Sequence, residues 1–162
     1  MAAEEIYRDE DHSLVGKTIL GEIDADKALA FIYGNFDPAT KRAAWNLTDG
    51  IRARLTYPDC APYVEEPCST AVTVKAIAEM RNNARSRAPR YLIVTMTEGD
   101  FFDGRVHFPL IGGAIFEKTG DAWRLVSEAK LLASVNLPDG PPKFFRIGPD
   151  RYGIMLPHFF ST

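Results

Sequence analysis

The sequence predicts an α+β domain, an N-terminal helical hairpin packed on a curved antiparallel β-sheet. Three observations predict it. Capped, helix-spaced apolar residues fill the first third of the chain. Strand-like runs fill the remainder. Those runs are joined by tight turns, and short connections between consecutive strands require antiparallel pairing because a parallel partner needs a long crossover. A β-sandwich with accessory helices is the alternative arrangement of the same elements.

The helices come first. Asp24 can cap a helix running Ala25-Asp26-Lys27-Ala28-Leu29-Ala30-Phe31-Ile32-Tyr33, with Ala28, Phe31 and Ile32 on one face and Gly34 as its stop. Asp37-Pro38 reads as an N-cap followed by proline at the first helical position. Ala39, Ala43, Ala44, Leu47 and Ile51 then follow helical spacing to Asp49-Gly50, which predicts the second arm of the hairpin.

The strands follow. Val72, Val74, Ala76, Ala78 and Met80 alternate with polar residues at period two, although the alanine-rich half also suits a helix. Tyr91–Thr97 is apolar or β-branched on both faces and reads as a central strand covered on both sides. Ala114–Lys118, a Thr119-Gly120-Asp121 turn and Trp123–Ser127 form the clearest hairpin, with Phe116 and Trp123 directed into the core. A second hairpin is expected from Phe144–Ile147, Gly148-Pro149-Asp150 and Tyr152–Leu156.

Composition bounds the domain and its partners. The chain has 162 residues, 46% hydrophobic and 25% charged, which suits one globular domain able to bury about two thirds of its unfolded surface. Residues 1–20 read as a flexible acidic lead-in and residues 21–162 as a single domain that could be truncated at its apolar C-terminal end. Eight acids stand among residues 1–26 against Arg8 and Lys17. Nineteen Lys and Arg against 22 Asp and Glu argue against a nucleic-acid binder. The four arginines among Arg81–Arg90 lack interleaved aromatics and read as a solvated connection. Uncharged stretches are too short to span a bilayer, so no membrane span is expected.

Chemistry is sparse. No serine elbow, phosphate loop or dinucleotide fingerprint is present, and the imidazoles His12, His107 and His158 have no matched nucleophile in sequence. Asp100, Asp103 and His107 lack the spacing of a calcium loop. We therefore expect no catalytic residue, no metal site and no cofactor. Cys60 and Cys68 bracket a proline-rich loop. They are expected to form a disulfide in an oxidising compartment, worth about 2.5 kcal/mol of lost unfolded-state freedom, or to remain thiols in a reducing one. Phe101 and Phe102 are adjacent and cannot both point inward from an extended segment. With Asp103, Arg105 and His107 they form the expected partner-binding element, entering the sheet through Pro109.

Tyr91–Thr97, His107–Phe116, Trp123, the Ile147-Gly148-Pro149-Asp150 turn and Gly153 together carry a resemblance. Over about residues 90–156 the chain resembles a group of uncharacterised bacterial exported proteins with a Cys-His-Ala-Cys segment. Arg105 and Phe108 stand where that group has its cysteines. The resemblance implies a periplasmic or cell-surface location and no activity; a cytoplasmic location is the alternative, since no signal peptide opens the chain. The function expected is non-enzymatic: an extracytoplasmic domain that binds another macromolecule, as an immunity or inhibitor protein or as an adaptor part of a larger exported protein. The alternative is a small-molecule-binding or hydrolytic domain with a pocket between helices and sheet.

Overall fold

A computed structural model describes residues 13–46, 69–80, 88–98, 110–134, 143–148 and 151–155. In chain order these form β1 (Thr18–Leu20), α1 (Ala25–Tyr33), β2 (Phe36–Asp37), β3 (Arg42–Asn46), β4 (Ser69–Met80), β5 (Arg90–Glu98), β6 (Leu110–Thr119), β7 (Ala122–Ser134), β8 (Lys143–Gly148) and β9 (Arg151–Met155). Seven strands make one antiparallel sheet in the order β1-β7-β6-β5-β4-β3-β2, curled into a half-barrel. The sheet already begins at Thr18, inside the stretch read as lead-in, with Ile19 opposite Trp123.

Helix α1 forms where its sequence signals place it. Asp24 accepts from the Lys27 N–H at 2.8 Å, and Gly34, at φ 83°, returns its N–H to the Ala30 carbonyl. Its apolar face enters the concave side of the sheet. Ala28 and Ile32 pack with Ile93, Ala114, Phe116, Trp123 and Leu125, and Leu29 packs with Ala43, Trp45, Val72 and Leu110. These contacts bury the helix face, which supplies most of the stability of so short a helix.

The expected helical hairpin is absent, and the α+β assignment gives way to a mostly β fold with one helix of seven or more residues among those described. The reason lies between Asp37 and Trp45. The Asp37–Pro38 start signal is real but lasts one turn. Asp37 accepts from the Ala39 N–H and the Thr40 hydroxyl, both at 2.9 Å, and its carbonyl accepts from the Lys41 N–H. The first of these bonds, with the second, holds the Asp37 carboxyl below its ordinary pKa. Lys41 then adopts φ 59°, which turns the chain back as β3. Along β3 burial alternates, with Ala43 and Trp45 inward. That is period two, so the alanines that suit a helix serve a strand.

The other face of the sheet is also covered. Leu92, Val94 and Ile111 form a second apolar layer, against which Phe144 and Ile154 of the β8–β9 hairpin pack. Strand β5 is thus covered on both sides, as its two-faced apolar run implies.

At the solvent side of the β6–β7 hairpin Glu117 joins two arginines. Arg90 Nε donates to Glu117 Oε2 at 2.7 Å and Arg124 Nη2 to Oε1 at 3.0 Å. The Arg90 hydrogen bond chiefly holds the Glu117 carboxyl below its ordinary value of 4.5. A depressed folded-state pKa contributes stability that is present above the unfolded value and lost as pH falls through the folded one. Both arginines keep some solvent contact, so Glu117→Gln is expected to cost about 1 kcal/mol at pH 7. Urea unfolding at pH 7 and pH 3 checks this. The gap between variant and parent should close at the lower pH, and a gap of the same size at both would refute the bridging role.

Candidate functional site

The residues expected to bind a partner, Phe101, Phe102, Asp103, Arg105 and His107, lie outside the described residues, as do Cys60 and Cys68. The structure does place the ends of the loop that carries the first five. It leaves β5 at Glu98 and re-enters β6 at Leu110, whose N–H donates to Thr97 Oγ1 at 2.8 Å. The loop therefore joins two adjacent central strands.

Two other features are candidate sites. The first is a polar junction on the concave face, at the C-terminal end of α1. Tyr33 reaches across to the sheet, and its hydroxyl lies 2.9 Å from Thr95 Oγ1. Lys130 Nζ stands 5.6 Å from the Tyr33 ring centroid, and Trp45 meets that ring edge-on at 5.8 Å. Glu128, 5% exposed, stands two residues before Lys130 on β7. A cleft of about 150 Å³, counting its part open to solvent, lies among Ile32, Tyr33, Thr95, Gly113, Glu128 and Lys130, with no room for a water-sized sphere. A small-molecule pocket is normally at least about 300 Å³. The junction thus clasps the helix to the sheet, and this part of the concave face is filled.

The second feature is the outward face of the β8–β9 hairpin. The register sets Lys143 opposite Met155 and Phe145 opposite Gly153. Side chains alternate along each strand, so Phe144 and Ile154 turn to the sheet while Phe145 and Met155 turn away; Ile147 stands at the register shift between Arg146 and Gly148. Phe145 is 48% exposed, Ile147 64% and Met155 50%. Phe145 lies over Gly153, where a β-carbon would meet its ring atoms at 2.5–3.0 Å. Glycine at 153 thus lets a flat aromatic face form. Phe145 and Met155 share one surface of a two-stranded ribbon with exposed Lys143 at its end, and Ile147 is exposed toward the turn.

The sheet edges are less suited to contact. Strand β7 runs well past its pairing with β1, which covers Ala122–Arg124. Two register shifts against β6 interrupt its ladder, and Glu128 and Lys130 turn toward the helix side. Bulges and inward charges are the usual means by which an edge strand avoids pairing with another chain. The opposite edge, β2, is two residues long.

Among the described residues, no cluster of His, Cys, Asp and Glu is placed to hold a metal ion, and no helix is long and apolar enough to cross a membrane. Comparison with protein-family models, with curated proteins and with solved structures finds no match.

The sequence reading did not single out the hairpin face, yet the signal is present. Phe144-Phe145 is an adjacent aromatic pair in a strand, and the argument applied to Phe101-Phe102 holds for it equally.

Proposed function

We propose that this chain is a bacterial exported domain that acts by docking another protein on the outward face of the β8–β9 hairpin. An inhibitor or immunity protein, or an adaptor part of a larger exported protein, would work in this way. The observation that carries the reading is that Phe145, Ile147 and Met155 are each about half or more exposed on one two-stranded hairpin. Contiguous exposed apolar side chains cost solubility and mark interaction sites more often than chance. The hairpin is also rich in Phe, Arg, Tyr and Met, the residues enriched at protein interfaces. The cleft among Ile32, Tyr33, Thr95 and Glu128, too narrow for a water-sized sphere, supports this reading over a ligand held at that point. The export part rests on the resemblance over about residues 90–156.

The double variant Phe145→Ser, Ile147→Ser tests it. Both side chains are largely solvated, so the melting point is expected to stay within a few degrees of the parent. Proteins captured from a bacterial cell-envelope extract by the parent should drop at least about tenfold with the variant, the loss typical of two central interface side chains. Equal capture by a variant that remains folded would defeat the reading.

A further inference from the structure

We propose that Met155 is a reversible oxidation site that switches the hairpin face off, a peroxide-class oxidant converting its thioether to a sulfoxide. This rests on the docking reading above and adds the regulation of that same face. The chain has four methionines, and the side chains of two, Met96 and Met155, are among those described. Their surroundings differ. Met96, on β5, is partly buried against Leu92, Val94 and Ile111. Met155, on β9, is 50% exposed. Oxidation of a thioether follows the access of the oxidant to sulfur, so Met155 is the faster of the two.

The position of Met155 gives its oxidation a consequence. In the β8–β9 register Lys143 stands opposite Met155, and Phe145, opposite Gly153, is its diagonal neighbour on the same surface. Diagonal neighbours lie within reach of long and aromatic side chains, so the thioether extends the apolar surface of the Phe145 ring. Hydrogen peroxide transfers one oxygen to sulfur. The O–O bond breaks as the S–O bond forms, sulfur gives up two electrons, and the other oxygen leaves as water with both hydrogens. The product carries a strong hydrogen-bond acceptor where a partner would bury an apolar group. Lys143 is exposed, and directly opposite residues have β-carbons about 4.5–5.5 Å apart, so its ammonium can reach the new oxygen and hold it at the surface. Docking over the sulfoxide would strip water from both groups. Half of Met155 already lies in solvent, so the fold tolerates the change. Sulfoxide reductases return the thioether, which makes the change a switch rather than damage.

The experiment treats the full chain with hydrogen peroxide, removes the peroxide and maps the product by peptide mass spectrometry. Met155 should gain one oxygen at least about five times faster than Met96. The melting point should stay within a few degrees of the untreated protein. Capture is scored on those envelope-extract proteins that Phe145→Ser, Ile147→Ser loses. The oxidised chain should capture them about tenfold less, and the two methionine sulfoxide reductases, one for each sulfoxide epimer, should restore the starting level. Met155→Leu keeps an apolar side chain without the sulfur. Whatever its own starting level, its capture should not change on peroxide treatment, whereas Met96→Leu should still lose about tenfold. Oxidation of Met155 no faster than that of Met96 would overturn the inference. So would undiminished capture by a chain carrying the Met155 sulfoxide, an outcome that leaves the docking face standing. A melting point more than about 10 °C lower after oxidation would place the loss in the fold and overturn the switch as well. If the untreated chain captures nothing that Phe145→Ser, Ile147→Ser loses, the docking reading fails first and the switch falls with it.

Discussion

Trp123→Ala is expected to destabilise the domain by about 3–5 kcal/mol, a large share of the stability of an ordinary domain. Trp123 is 3% exposed and lies under α1 with Ala28, Ile32 and Phe116. Its indole stacks on Tyr91 with ring centroids 4.6 Å apart, and Lys118 Nζ stands 5.1 Å from it on the facing strand. Truncation removes the stack and the cation contact and opens a cavity against the helix, which cannot collapse while its neighbours are held by the sheet. The indole Nε1–H is buried with no hydrogen-bond partner among the described residues. Trp123→Phe therefore loses volume but no hydrogen bond to those residues, and should cost much less, about 1 kcal/mol. For a chain of this size the alanine variant should melt on the order of 10 °C below the parent. Melting within a few degrees of the parent would show that the ring is not a core element.

What the sequence made legible follows from the range of the forces involved. Helix α1 depends on Asp24, Gly34 and three or four apolar residues within one short window, and all are readable locally. The Gly120 hairpin is local too: β6 and β7 flank a two-residue turn, and Phe116 and Trp123 are both buried, as their positions require. Strand β4 remains a strand through its alanine-rich half because β5, the next strand in the chain, pairs with it from Ala71–Glu98 to Met80–Arg90, a partner outside the window in which local propensity acts. The stretch after Asp37 was misleading for the same reason. Local propensity favours a helix there, and one turn does form. Strand pairing with β4 and burial of Trp45 against Leu29 outweigh that propensity over the next five residues.

The candidate site was harder to read. Exposure of Phe145 depends on which face of the β8–β9 hairpin meets the sheet, and alternation narrows that to two choices without selecting one. The selection comes from the fit of Phe144 and Ile154 onto Leu92, Val94 and Ile111, a contact between segments about fifty residues apart.

Gly112→Ala is expected to cost about 2–3 kcal/mol, while Gly113→Ala, one residue away, should cost less than about 1. The two glycines sit together in β6 at the register shift against β7, but their surroundings differ. A β-carbon at Gly112 would stand 2.6 Å from Thr95 Oγ1, 2.8 Å from the Lys130 carbonyl oxygen and 3.1 Å from that of Ala129. Two of these contacts are backbone of the neighbouring strand, which cannot swing aside as a side chain can. The third is the hydroxyl paired with Tyr33, so moving it loosens the clasp between helix and sheet. A β-carbon at Gly113 meets at close range only Leu132 Cδ1, the far end of an exposed side chain, with its next contacts at 3.8 Å and beyond. Neither substitution is penalised for a positive φ, so the comparison isolates space rather than backbone freedom. Adding Thr95→Ala to Gly112→Ala removes one clash of the three and should recover only part of the loss. Chemical denaturation of the three variants reads the series. Equal stabilities for the two single variants would mean that β7 does not approach Gly112 as closely as described, and the polar junction at Tyr33 would have to be redrawn with it.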